Sequence, residues 1–212
     1  MVFSGLLLGM LVAALDQTVV GTAMPKVIAS LGGMTLYSWV FTSYMLSSTS
    51  MVPIFGKLSD IYGRRRFFLL GIVVFMVGSW LSGVSQSMAQ LIIFRGLPGI
   101  GAGAIMPIAI AAIADIFPPD QRSRMQGFMA GIWAIASILG PLLGGYIADN
   151  LSWRWVFYVN IPVGFLSIAV VYFNLQDRPD PGIKRSVDYP GVVLLLAGLI
   201  PLLLALSLGG KD

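Results

Sequence analysis

The sequence predicts an all-α polytopic membrane protein, and three observations carry that prediction. Hydrophobic residues make up 57% of the 212-residue chain and charged residues only 10%, against roughly 45–50% and about 25% in an ordinary globular domain. Mean hydropathy is +0.88. Apolar runs long enough to cross a hydrocarbon layer of about 30 Å recur along the whole chain, and cationic residues alternate in abundance from one connecting loop to the next.

The runs fall at 2–24, 37–56, 67–85, 88–114, 125–148, 154–174 and 190–208, which predicts seven helical spans. The first begins within Met1–Leu15, which lacks the basic start of a signal peptide and continues through Asp16 to Met24, so it reads as a retained helix. Tyr37 and Trp39 open the second span, and Trp153, Trp155, Phe157 and Tyr158 open the sixth, where aromatic side chains suit a membrane–water boundary. Six spans predict a bundle over 1–174, followed by a linker at 175–189. A seventh span and the start of another loop occupy 190–212, and the chain is expected to be a fragment.

Loop charge gives the orientation. Lys57, Arg64, Arg65 and Arg66, then Arg122 and Arg124, then Arg178, Lys184 and Arg185 fall on one side, whereas only Lys26 and Arg154 fall on the other. By the positive-inside rule the first side is cytoplasmic, together with the N-terminus and the 175–189 linker, and the expected location is the cell membrane.

Composition also excludes chemistry. The chain has no cysteine, no histidine and no glutamate, so thiolates, imidazole bases and closely spaced metal ligands are lacking and no catalytic or metal site is expected. The net charge of +4 resides in short loops rather than on a continuous face, which argues for topology and against a nucleic-acid partner. Gly99-Ile100-Gly101-Ala102-Gly103 lies inside an apolar helix with no strand before it, so it is no dinucleotide fingerprint. Gly56-Lys57 is not a phosphate loop, because residue 51 is Met and residue 58 is Leu. No cofactor is expected, and energy would come from an ion gradient.

An internal repeat organises the spans. Gly56, Asp60 and Arg65 recur 89 residues later as Gly145, Asp149 and Arg154. The first copy joins spans two and three and the second joins five and six on the opposite side, which is the trace of a 3+3 inverted repeat.

Asp16 and Arg95 are the two ionisable residues deep within spans. Each costs about 2.5–3.5 kcal/mol at a helix centre, so each should face a cavity or a partner. At about 1.5 Å per residue, Asp16 lies about 12 Å and Arg95 about 10 Å from the outer ends of their spans, depths at which they can meet. Desolvation favours the neutral acid and a nearby Arg favours the carboxylate, so movement between cavity states gives a way to load and release a proton. A static ion pair that only positions two helices is the alternative.

Small residues repeat every fourth position as Ala136, Gly140, Gly144 and Ala148 in span five, and as Gly99, Gly103, Pro107 and Ala111 in span four, which predicts close helix packing. Pro53, Pro98, Pro107, Pro141, Pro162 and Pro201 mark positions where a helix can bend. The 56–66 loop combines Asp60 with four cations at a helix end, either as topogenic charge or as a latch that Asp115 would join.

At these residues the chain resembles the major facilitator superfamily, and in particular its fourteen-helix drug:proton antiporters. Leu15-Asp16-Gln17-Thr18-Val19-Val20, ending at Ala23-Met24-Pro25, resembles the first-helix motif, and Gly56 to Arg66 resembles the loop motif shared across the superfamily. Arg95-Gly96 with Gly99 and Gly101 resembles the fourth-helix motif, although Pro98 stands where that family usually has Gln. Gly131, Gly140-Pro141 and Gly144-Gly145 resemble the antiporter motif of helix five, and Asp188-Tyr189-Pro190-Gly191 leads into a seventh span as in the fourteen-helix group.

The resemblance implies an N-terminal six-helix bundle that exports small, lipophilic molecules against protons by alternating access. It implies proton coupling at Asp16 and Arg95, a conformational latch of Gly56, Asp60, Gly63, Arg64, Arg65 and Asp115, and a hinge at Gly131, Gly140, Pro141, Gly144 and Gly145. The implied partners are a small-molecule substrate, protons, the lipid bilayer, and a C-terminal half or a second copy. A proton-linked importer or metabolite carrier is the alternative within transport, which the helix-five residues disfavour. A truncated membrane interaction module is the alternative outside it.

Overall fold

The computed structural model describes residues 2–175 and 189–208, and every regular element in them is helical. They are α1 (Val2–Leu31), α2 (Tyr37–Tyr62), α3 (Arg64–Val84), α4 (Met88–Ile116), α5 (Pro119–Asn150), α6 (Trp155–Tyr158), α7 (Asn160–Asn174) and α8 (Tyr189–Leu208), with a short 3-10 turn at Met34–Leu36. The linker expected at 175–189, with Arg178, Lys184, Arg185 and Asp188, lies outside the described residues apart from its two ends.

The joints follow from local chemistry. Gly32 and Gly33 turn the chain out of α1 with φ of 69° and 74°, a backbone region that only glycine enters at no steric cost. Gly63 alone separates α2 from α3, at φ 108° and ψ 135°. Ser87 caps α4 by accepting from the Gln90 N–H, while Gln90 Oε1 accepts from the Gln86 N–H, a reciprocal arrangement that satisfies two otherwise orphaned donors. Pro118 and Pro119 start α5, where the missing N–H costs nothing.

All seven expected spans are helical, and they differ in how apolar and how continuous they are. Five helices among the described residues are long and apolar enough to cross a membrane unaided, and α2 is not one of them. Its length is ample, but a run of serines and threonines lowers its hydropathy. Four of those hydroxyls are satisfied within the helix, since Thr42, Ser43, Ser47 and Ser48 donate to the carbonyls of Ser38, Val40, Ser43 and Met45, whereas the buried Ser50 hydroxyl has no partner among the described residues. Polar composition here marks a helix that packs against α4 through small hydroxyl side chains, not a connector. The seventh span corresponds to the shorter apolar stretch Pro190–Ala205 of α8. The sixth, Trp155–Asn174, is one of the five, with a single turn residue at Val159 (φ −60°, ψ −25°) between α6 and α7. Pro162 explains the turn, because its ring clashes with the carbonyl four residues back, at Tyr158.

The helices pack as α1 against α5 and α7, α2 against α4, and α3 against α4 and α7, while α8 leans on α2. Two apolar clusters fill the interior. One gathers Leu6, Met10, Ala13, Phe68, Ile72, Phe75, Ile105, Ile108 and Val171. The other gathers Ala14, Leu15, Val19, Met24, Val40, Leu91, Ala136, Val156 and Phe157. Along α1 the first cluster gives way to the second at Ala13 and Ala14, and Asp16 stands beside that boundary.

Close approach depends on residues without side chains. Gly140 and Gly144 of α5 face Thr18 and Thr22 of α1, and a Cβ at either would collide with the opposing threonine Oγ1. The four small residues at 136, 140, 144 and 148 are all buried, whereas Ile138, Leu142 and Tyr146 on the other face of α5 are exposed. In α4, Gly99 and Gly103 lie against the α2 backbone at Tyr44 and Ser48. Pro98 does not break α4, which runs on through Pro107. Gly78 of α3 makes room for its ring, because any Cβ there would strike Pro98 Cδ.

Candidate functional site in the bundle interior

The interior site is built on the side chains whose burial is hardest to explain by packing. Asp16 is 0% exposed and Arg95 is 1% exposed. Arg95 Nη1 donates to Asp16 Oδ2 at 2.5 Å, so the two ionisable residues deep in the spans do meet. A charge in such surroundings is tolerable only when paired and hydrogen-bonded. The pair is joined by a direct hydrogen bond, while Arg95 Nε has no hydrogen-bond partner among the described residues.

Its surroundings supply further contacts. The Arg95 guanidinium carbon lies 4.5 Å from the centroid of the Tyr44 ring and 5.8 Å from that of Phe157, within the range where an aromatic face attracts a cation. Asn160 Nδ2 donates to the second carboxylate oxygen, Asp16 Oδ1, at 2.9 Å, and lies 3.3 Å from Ser79 Oγ. Five helices besides α1 thus contribute to the shell of one carboxylate and its cation: α4 through Arg95, α2 through Tyr44, α6 through Phe157, α7 through Asn160 and α3 through Ser79.

Asn160 and Ser79 had not been singled out in the sequence. The usable signal for Asn160 is a lone amide in an apolar run immediately before Ile161-Pro162, where a helix can bend. Ser79 has no such signal, since serines in apolar helices commonly bond their own backbone, as Ser82 does to the carbonyl of Gly78.

The proposed latch residues form a second, separate site at the end of the bundle that carries the α2–α3 joint. Arg64 bridges two carboxylates, with Nη2 3.3 Å from Asp60 Oδ1 and Nε 2.6 Å from Asp115 Oδ2. Arg65 stacks its guanidinium 4.6 Å from the Tyr172 ring. Gly63 makes the turn that brings Arg64 back over Asp60, while Gly56 lies one turn earlier, with its carbonyl accepting from Ser59 Oγ.

Helix dipoles make this arrangement informative. Asp60 and Asp115 sit in the last turns of α2 and α4, and Arg64 in the first turn of α3. Each charge occupies the helix end of its own sign, where it is disfavoured by about 0.3–1 kcal/mol. Their mutual pairing offsets that. Arg122 completes the end of α4 by donating to the carbonyls of Ala114 and Phe117.

The helix-five residues divide. Gly140 and Gly144 form the α1–α5 seam, which Thr18 ties by donating to the Ala136 carbonyl at 2.9 Å. Around Gly131 and Gly145 a Cβ would meet no atom within 4 Å, and Pro141 is exposed on the far face. The structure therefore does not bring all five together.

At the opposite end, Lys26 Nζ pairs with Asp149 Oδ1 at 3.2 Å. Arg154 donates to the carbonyls of Gly83 and Ser85, tying the start of α6 to the end of α3. Among the described residues no group of three acidic, histidine or cysteine side chains has the proximity to hold a metal ion.

Comparison with known proteins gives the family and the fold. The chain is 46% identical, over its whole length, to the multidrug transporter protein MdtP of Bacillus subtilis, of which it covers 39%. It is 47% identical over 98% of its length to multidrug resistance protein 3 of the same organism, covering 40% of that protein. It is also 37% identical over its whole length to the MFS-type efflux pump LUC4 of a Fusarium species, covering 38%. The chain thus spans about two fifths of the length of these relatives. Its fold superposes on the human organic anion transporter MFSD10 with a TM-score of 0.78 at 19% identity, over 94% of this chain and 53% of that one. The family model described as Major Facilitator Superfamily matches residues 6–210, and the chain belongs to that superfamily.

Proposed function

We propose that this chain is part of a secondary transporter that exports small, lipophilic molecules in exchange for protons, with Asp16 as the proton carrier and Arg95 as its charge partner. One observation carries the reading: a carboxylate and a guanidinium, both excluded from solvent, are paired in the middle of a helical bundle whose other buried polar side chains are neutral. Ionisable residues kept inside a membrane protein mark ion or substrate paths. The efflux names of the relatives support the outward direction.

In this reading, protonation of Asp16 neutralises one member of the pair and lets Arg95 separate from it, which frees α1 and α4 to shift. The Asp60–Arg64–Asp115 cluster acts as a latch that holds one end of the bundle shut, and the Gly140–Gly144 seam is where α1 and α5 slide. The cycle needs the remaining length that the relatives carry, and we place the protein in the cell membrane with its N-terminus in the cytoplasm.

The test is proton movement in proteoliposomes under an imposed pH gradient, comparing the full-length protein with its Asp16→Asn variant while lipophilic cations and neutral compounds are added. Substrate-evoked proton flux that vanishes in the variant is the expected result. Undiminished flux in a folded variant would remove Asp16 from the coupling role.

A further inference from the structure

Asn160 is the member of the Asp16 shell that the transport reading leaves without a task. It opens α7 directly after the turn at Val159 and is 2% exposed. The two oxygens of Asp16 are held by different partners, Oδ2 by Arg95 and Oδ1 by Asn160. That division matters when a proton arrives. A guanidinium only donates, so it offers nothing to an acid O–H, whereas a primary amide carries two donors and an acceptor on one rotatable group.

We propose that Asn160 is a positioning residue that serves Asp16 in both of its protonation states, donating through Nδ2 to the carboxylate and accepting through Oδ1 from the acid after the amide turns over. The proton then resides on Asp16 Oδ1, away from Arg95. Ser79 can follow the turn, because its hydroxyl accepts from Nδ2 in one state and can donate to the amide oxygen in the other. This inference rests on Asp16 being the proton carrier.

The other charged and titratable groups around Asp16 are few. Arg95 approaches from α4 and Tyr44 from α2, with its ring against the guanidinium. From α3 and α7 come the neutral Ser79 and Asn160, and from α6 the ring of Phe157. The charged residues of α5, namely Asp120, Arg122, Arg124 and Asp149, lie toward its two ends.

Infrared difference spectroscopy of the full-length protein in lipid reads this directly. The carboxylic acid band of Asp16 is identified by its loss in Asp16→Asn and followed as pH is varied. Asn160→Leu removes donor and acceptor while keeping the branched shape of the side chain. Hydrogen bonds to charged groups are about twice as strong as those to neutral ones, so the carboxylate loses more than the acid. The midpoint of the band should move to higher pH by about one unit, and the band should move to higher frequency as its O–H loses an acceptor. Asn160→Gln, which keeps the amide, should return both toward the wild type.

A wild-type band that titrates, with midpoint and frequency unmoved in Asn160→Leu, overturns the role of Asn160 and leaves Asp16 as carrier. Should Asn160→Leu fail to insert, Ser79→Ala is read in its place. It should show a smaller shift in the same direction, and an unmoved midpoint again overturns the proposal. A wild-type Asp16 that never titrates overturns the carrier role and this inference together.

Discussion

Two residues ten positions apart on α1 each pair with an opposite charge from another helix, yet they live in different solvents. Asp16 meets Arg95 at 2.5 Å with side-chain exposures of 0% and 1%, and Asn160 holds its other oxygen. Lys26 meets Asp149 at 3.2 Å with exposures of 54% and 67%. Unit charges about 4 Å apart interact by about 1 kcal/mol in water and several times more at the effective dielectric of a protein. Water can replace either partner at the exposed pair, so that pair opens freely. The buried pair has no solvent-exposed surface at which water could replace the partner, and in the proposed cycle it is neutralisation by a proton that releases it. The same chemistry therefore suits a switch in the middle of the bundle and a light tie at its end.

The sharpest way to break the comparison is to remove the buried cation. Arg95→Leu leaves the Asp16 charge with Asn160 as its main support, and loss of one partner of a buried pair costs about 3–5 kcal/mol. Unfolding of the protein in detergent should show a loss of that order, and the double variant Asp16→Asn with Arg95→Leu should recover part of it, because no unpaired charge remains. A loss below about 1 kcal/mol in Arg95→Leu would mean that water reaches the pair.

Packing around the pair predicts the next largest effect. Gly140→Leu drives a side chain into Thr18 across the α1–α5 seam, and overpacking of this kind costs about 1–3 kcal/mol. Gly145→Ala, on the same helix but facing open space, should stay within about 0.5 kcal/mol of wild type. Equal effects at the two glycines would mean that the seam is loose, and parallel unfolding measurements on both variants decide it.

Much of this contrast was legible in the sequence for a physical reason: a charge in an apolar run is costly enough to demand a partner. Only one other deep ionisable group existed, so Arg95 was the available partner for Asp16. The four-residue spacing from Ala136 to Ala148 likewise forecast a buried stripe, since only one helix face can hold it. What could not be read was anything set by tertiary direction. Asn160 carries no charge and forces no pairing, so its bond to Asp16 appears only when α7 is placed beside α1. Gly131 and Gly145 share residue type with Gly140 and Gly144 but not their helix face. Pro162 marked a possible bend in the sixth span, but that the turn falls at Val159 depends on the structure. Pro98 marked a position where a helix can bend, but its fit depends on Gly78, a residue twenty positions away on another helix.

The latch cluster lies between the two extremes. The Arg64 side chain is 24% exposed, and its partners Asp60 and Asp115 are 41% and 58% exposed. Arg64→Gln removes the cation that relieves two carboxylates at helix C-termini, and the expected loss in stability is about 1 kcal/mol. Its larger signature should be conformational. Spin labels placed on α2 and α4 near this end should report a greater separation in Arg64→Gln than in wild type under the same conditions, and unchanged distances would remove the latch role from Arg64.

The smallest effect tests the repeat itself. Lys26 and Asp115 are 89 residues apart, as are Asp60 and Asp149. At one end of the bundle Asp115 on α4 is tied to the α2–α3 joint through Arg64, and at the other Lys26 on α1 is tied to the α5 terminus through Asp149. Equivalent positions in the two repeats thus make equivalent ties at opposite ends, with the sign of the charge at 26 and 115 reversed. Because the Lys26 pair is exposed, Lys26→Ala should cost less than about 1 kcal/mol, and the effect should shrink as salt is raised. Exchanging the charges, with Lys26→Asp and Asp149→Lys together, should restore wild-type stability where either change alone does not, since the pairing returns and the helix-end preferences at the two positions change in opposite senses. Failure of the exchange to restore it would mean that Asp149, at the C-terminal end of α5, is held by more than Lys26, and that the two ends of the bundle are less alike than their common spacing suggests.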